Sequence, residues 1–270
     1  MKILSLDEQS IYQLPYTSAA SGGGVETRVL PLVVARVDQL PEALGGLLLT
    51  SDLQGVAPSS DEGGALALLG EVLAHDLRGL AEADLIPASG QLGVLLAGDL
   101  FSSPGGDKRG ATGDVRPVWT AFGREARWVA GVAGNHDLFG TERDRERFVA
   151  RSGAHLLDGA VVELDCLRIG GVGGIIGNPN KPARRSTEDF LEVLERVLAQ
   201  RPDIVVLHEG PDDPSAGAMG NPDIRELLKS TDEELLVICG HSPWRHPLAQ
   251  LSDGTQVLNV HERAILLQAP

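Results

Sequence analysis

Cysteine, aromatic residues and positive charge are all in short supply in this sequence. Its 270 residues include two cysteines, Cys166 and Cys239, without the paired spacing of a metal knuckle or redox motif. That excludes a small disulfide-stapled fold, and both thiols are expected to be reduced and buried among apolar neighbours. Aromatics make up 4% of the residues, so a core must be built from Leu, Val, Ile and Ala within a hydrophobic content of 42%. No run approaches the roughly 20 apolar residues of a membrane-spanning helix, and "MKILSLDEQS" has no apolar stretch of the signal-peptide kind. The expected setting is soluble and cytoplasmic, with no membrane partner. Lys and Arg number 23 against 38 Asp and Glu, a formal net charge of −15. Such a field repels polyanions and argues against long nucleic acid as a partner. A small phosphorylated substrate stays open, because a bound cation reverses the field locally.

The length suits one large α/β domain spanning residues 1–270. Residues 14–28, small, polar and Gly-rich, read as a surface loop, and 29–37 as a strand. Helical periodicity covers 63–83, 141–153 and 186–201, the last with Ser186 and Asp189 at the spacing of a capping box. Residues 155–176 read as successive strands. The tail from Pro247 reads as a meander with Asp253-Gly254 at a turn.

Five further runs carry the chemistry: "GLLLTSD", "GVLLAGD", "WVAGVAGN", "DIVVLH" and "LLVICGH". Each is compact and apolar, as a strand buried on both faces requires. Each ends in a side chain able to hold a metal: Asp52, Asp99, Asn135, His208 and His241. Helical segments separate several of them, which predicts largely parallel order, with a site outside the carboxyl ends of the strands. Gly98, Gly134 and Gly240 each precede a candidate ligand, where loops packed around one centre need close backbone approach.

These residues resemble the motifs of the calcineurin-like metallophosphoesterases. "SDLQG" is similar to the family's DxH motif, "AGDLF" to GD, "AGNHDL" to GNHD, "LHEGP" to a later isolated histidine and "CGHSPW" to GHxH, in family order across residues 48–244. The resemblance implies a four-layer α/β/β/α sandwich, two mixed β-sheets flanked by helices. It implies that Asp99 bridges two metal ions, with Asn135, His208 and His241 completing the second site and Asp52 at the first. Mn, Fe, Zn or Co would suit that donor set, with one or two ions per chain. His136 would face the substrate, with Asp137 orienting its ring.

Two positions depart from the pattern. Gln54 and Pro243 stand where the family has first-site histidines. The first site is then left with Asp52, Asp99 and Gln54, an all-oxygen set that predicts weaker or partial occupancy. His246 is a candidate substitute ligand, though the loop "WRHPL" reads more simply as surface. The remaining histidines, His75, His155 and His261, are expected to be structural.

The implied activity is hydrolysis of a phosphomonoester or phosphodiester by a metal-activated hydroxide. A fold that has lost catalysis and serves as a binding or scaffold protein is the alternative. Loops 101–117 and 177–187 are expected to border the site and could bring Lys108, Arg109, Arg184 and Arg185 to phosphate. The loop 209–223 is a candidate cover, Glu209 a candidate support for a ligand, and Trp244 a packing residue.

Overall fold

The computed structural model of the chain describes residues 1–59, 63–231 and 234–270. It opens on a long hairpin, β1 (Ile3–Ala19) and β2 (Val25–Val37), then β3 (Gly46–Ser51), the short β4 (Val56–Pro58) and β5 (Leu66–Leu68), and helix α1 (Leu69–Glu82). Next come β6 (Leu92–Leu96), β7 (Gly113–Asp114), α2 (Arg116–Glu125), β8 (Trp128–Gly131), β9 (Asp137–Leu138) and α3 (Glu142–Ser152). β10 (His155–Leu156), β11 (Ala160–Leu164), β12 (Leu167–Val172), β13 (Ile175–Ile176) and β14 (Arg184–Arg185) lead into α4 (Thr187–Leu198). β15 (Ile204–Glu209), α5 (Pro222–Lys229), β16 (Leu236–Gly240), β17 (Leu248–Gln250), β18 (Gln256–Asn259) and β19 (Arg263–Gln268) follow.

Two mixed sheets organise most of these strands, with β7–β9 and β13–β14 as separate two-stranded pairs. One runs β10-β8-β6-β3-β19-β2-β1-β4-β5, the other β11-β12-β15-β16-β18-β17. Side-chain alternation along each strand fixes the layers. Leu47 and Leu49 of β3 and Leu95 of β6 point one way, into a core shared with Ile204, Val206 and Ile238 of the second sheet. Leu48 and Leu96 point the other way and pack with Leu73 and Leu77 of α1 and Trp119 and Phe122 of α2. On the far side, Val205, Leu207 and Val237 pack with Phe190 and Leu194 of α4 and Ile224 and Leu228 of α5. The result is helices, sheet, sheet, helices, the four-layer α/β/β/α sandwich that the sequence predicts.

Several local expectations change. Residues 14–19 and 25–28 belong to the β1–β2 hairpin; only the turn between them is loop, with Gly23 and Gly24 at positive φ. The strand signal is there, since Leu14, Tyr16 and Ser18 alternate into the protein. Helix α1 starts later than its periodicity suggests, because Leu66–Leu68 pair with β4 instead. The tail is not a simple meander: β17 and β18 form a hairpin, but β19 crosses to the first sheet and lies between β2 and β3. Cys239 is buried as expected, whereas Cys166 is exposed. It sits in the tight β11–β12 turn, where Asp165 and Cys166 both take positive φ, as a type I′ turn demands. The Ser186 cap of α4 forms as predicted, its hydroxyl accepting from Asp189 N at 3.1 Å.

Candidate metal centre

β3, β6 and β8 run parallel in one sheet, and β15 and β16 run parallel in the other. Asp52 directly follows β3, Asp99 lies just past β6, and Asn135 and His136 lie just past β8. His208 stands near the end of β15 and His241 directly after β16. Three of these residues, Asp52 (φ 54°), Asp99 (φ 56°) and His241 (φ 63°), hold left-handed backbone. Non-glycine residues rarely adopt it, and it concentrates at functional sites. The neighbouring glycines make the packing possible. A Cβ on Gly134 would collide with Asp99 Oδ1, and one on Gly240 with Ser51 Oγ and Asp52 Oδ2.

Asp99, His208 and His241 each present a ligand atom, all within 4.8 Å of one another. His208 is fully buried, and its Nδ1 lies 2.8 Å from the Ala97 carbonyl. A carbonyl only accepts, so Nδ1 carries the proton there and Nε2 is turned to Asp99 Oδ2, 3.4 Å away. Nε2 has only this long approach to Asp99, and the buried Oδ1 of Asn135 has no hydrogen-bond partner among the described residues. Unpaired buried polar atoms are rare and need a reason. A divalent ion supplies one. One carboxylate oxygen, one amide oxygen and two imidazole nitrogens fit a borderline transition metal.

Asp52 is held differently. Its Oδ2 accepts from Ser51 Oγ at 2.6 Å and from the His241 N–H at 2.9 Å. Its Oδ1 lies 3.1 Å from Nδ1 of His261. The sequence reads His261 as structural and gives no hint of this neighbour; in the fold it lies against Asp52. Gln54 Nε2 donates to Asp99 Oδ2 at 3.2 Å. His246 is exposed and lies outside the cavity over the site.

Asp137 does not orient the His136 ring. Its Oδ2 accepts from Asp99 N at 2.8 Å and Gly134 N at 2.9 Å, and its Oδ1 from Leu100 N at 2.7 Å. It clamps the loops after β6 and β8 together. The His136 ring instead lies with Nδ1 at 3.3 Å from Thr112 Oγ1, and its backbone N–H donates to Asp99 Oδ1 at 2.9 Å.

The charges are strongly coupled. Burial disfavours a charged His208, but the carboxylates of Asp99 and Asp52 outweigh it and lift its pKa to about 10. Burial likewise works against the Asp52 carboxylate, yet His261, His208 and Ser51 hold it down at about 2. His241 is shifted down by burial and by the positive His208 beside it. Burial, then the Asp99 charge, raise Asp137 against the pull of the Gly134 and Leu100 N–H groups.

Above these groups lies a cavity of about 600 Å³, lined by Asp52, Gln54, Asp99, His136, His241 and His261. Lys108 and Arg109 line it, as does Arg28 of β2, which the sequence does not single out. Arg184 and Arg185 do not line it: Arg185 pairs with Asp158 at 2.7 Å, and both line a different cavity. Nor does any residue of loop 209–223 line it. Glu209 accepts from Ile176 N at 2.6 Å and so anchors β13, while Trp244 is buried and donates to the Met219 carbonyl.

No curated protein matches this chain. Among solved structures, the sulfate thiohydrolase SoxB of Thermus thermophilus, in complex with glycerol, is similar at 13% identity and a TM-score of 0.44. The match covers 83% of this chain and 53% of SoxB, so the chain spans about half the length of that protein. The sequence model of the calcineurin-like phosphoesterases matches residues 47–245, from β3 to just past β16. That is well over half of the chain and takes in every strand end described above. This protein belongs to the calcineurin-like phosphoesterase family.

Proposed function

We propose that this chain is a metal-dependent hydrolase of a small phosphoric ester, either a monoester or a diester. The observation that carries the reading is the cluster of Asp99, His208 and His241, whose ligand atoms lie within 4.8 Å of one another, with the buried, unpartnered Oδ1 of Asn135 on the loop after β8. In this reading Asp99, Asn135, His208 and His241 hold one divalent ion, and Asp99, Asp52 and Gln54 face another. Mn, Fe, Zn and Co all suit the mixed oxygen and nitrogen donors. Such ions would supply two things: a nucleophile at neutral pH, by acidifying water, and charge stabilisation of the phosphoryl oxygens.

The remaining steps fall to side chains. Lys108 and Arg109 draw the anionic group into an otherwise acidic cavity. His136 faces the same cavity. Its Nδ1 lies 3.3 Å from the Thr112 hydroxyl, and when Nε2 carries a proton a departing oxygen can take it. Asp137 acts through the backbone, keeping the Asp99 and Gly134 loops in register.

The test is turnover of 4-nitrophenyl phosphate and of bis(4-nitrophenyl) phosphate before chelation, after it, and after return of Mn, Zn or Co. Turnover of at least one ester, lost with the metal and restored by it, is the expected result. A chain that binds no metal and turns over neither ester would leave the scaffold role.

A further inference from the structure

The family pattern loses two first-site histidines in this chain, at Gln54 and Pro243, yet an imidazole stands beside Asp52 all the same. We infer that His261 is a ligand of the first metal ion, replacing the missing nitrogen from a different part of the fold. The inference rests on the metal-dependent reading above and makes the chain a holder of two ions.

Topology explains how a residue so far along the chain arrives there. β19 runs antiparallel to β3, with Arg263 opposite Ser51. The segment leading into β19 therefore lies at the carboxyl end of β3, where Asp52 emerges. His261 forms a bridge with Ser51, and its backbone N–H donates to the buried Oδ1 of Asn259 at 3.1 Å. The ring is thus placed by two fixed elements before any ion arrives.

The atoms suit a shared cation. Asp52 Oδ2 is already committed to Ser51 and to the His241 N–H, which leaves Oδ1 for another partner. That oxygen is 3.1 Å from the buried Nδ1 of His261, which has no other partner among the described residues. Asp52, Gln54, Asp99 and His261 all line the same cavity, and Gln54 already touches Asp99 Oδ2. Rotation of the Gln54 amide about its terminal bond presents an oxygen to that space. An imidazole thus stands beside Asp52, where the motifs alone suggest only oxygen donors. Pro243, at the cavity wall, gives no donor and needs to give none.

Metal content after exhaustive dialysis against Mn tests this without reference to turnover. The wild-type chain is expected to hold two ions. His261→Ala should hold one, and free imidazole in the buffer should bring back the second. His208→Ala should lose the other ion. Retention of two ions by His261→Ala overturns the inference, as does a loss that imidazole leaves unrepaired. A wild-type chain with a single ion, removed by His208→Ala and not by His261→Ala, overturns it and leaves the proposed function standing. A wild-type chain with none overturns both. Circular dichroism checks each variant, and His261→Gln is read by the same criteria if the alanine variant does not fold.

Discussion

Asp137 carries three backbone N–H groups on two oxygens, and this division of labour separates it from His136 despite their adjacency. Asp137→Asn replaces one acceptor oxygen by a donor and faces at least one buried N–H with another. Leaving a buried N–H unpaired costs about 1–3 kcal/mol, and the new clash adds to it. We expect Asp137→Asn to lower the melting temperature and to loosen metal binding together, read by calorimetry and metal analysis. His136→Ala should do neither. If it donates the proton, its loss slows turnover by roughly 10²–10⁴-fold at unchanged metal content. The motif letters make both residues visible but give no direction to their side chains. Two neighbours on a loop can point to opposite sides, and only the three-dimensional path of Gly134 and Asp99 decides which does what.

At the scale of elements, legibility follows the nature of the signal. The strands ending in Asp52, Asp99, Asn135, His208 and His241 are readable because burial on both faces enforces an unbroken apolar run. The outer part of the β1–β2 hairpin is not, since its loop-like composition hides a period of two in Leu14, Tyr16 and Ser18. His261 is harder still. Its partner Asp52 lies at the other end of the chain, and their meeting depends on β19 leaving the sheet of β18.

The β11–β12 turn offers a test of a tie between elements. Asp165 accepts from Arg127 Nε and Trp128 Nε1, both at 2.7 Å. Arg127, and then Trp128, hold its carboxyl below the usual range against slight burial. A carboxylate with a lowered folded pKa stabilises above the unfolded value of about 3.9, and the effect vanishes as pH falls through the folded pKa. Asp165→Asn, which tolerates the left-handed turn, should therefore melt below wild type at neutral pH and converge with it in strong acid. A gap that persists in acid would mean that packing, rather than charge, ties the turn to β8.

For the whole molecule the dominant fact is the formal charge of −15. A field of that sign gathers divalent cations and repels phosphate, so the cavity cations Lys108 and Arg109 act against the general trend. Raising ionic strength from about 0.01 M to about 0.15 M shortens the screening length from about 30 Å to about 8 Å. Titration calorimetry should show weaker Mn binding at the higher salt, and an unchanged affinity would confine the attraction to the immediate ligands. The larger architecture serves the same end, since neither sheet alone contains all of the donors. Asp52, Asp99 and Asn135 come from one sheet, His208 and His241 from the other, and the shared apolar core holds the two sheets in register.

That convergence is best tested by an anomalous difference map from crystals soaked in Mn. The account predicts a peak in direct contact with side chains of Asp99, Asn135, His208 and His241 together. Strong Mn peaks elsewhere with none at this cluster, or a peak there touched by only one sheet's residues, would contradict it.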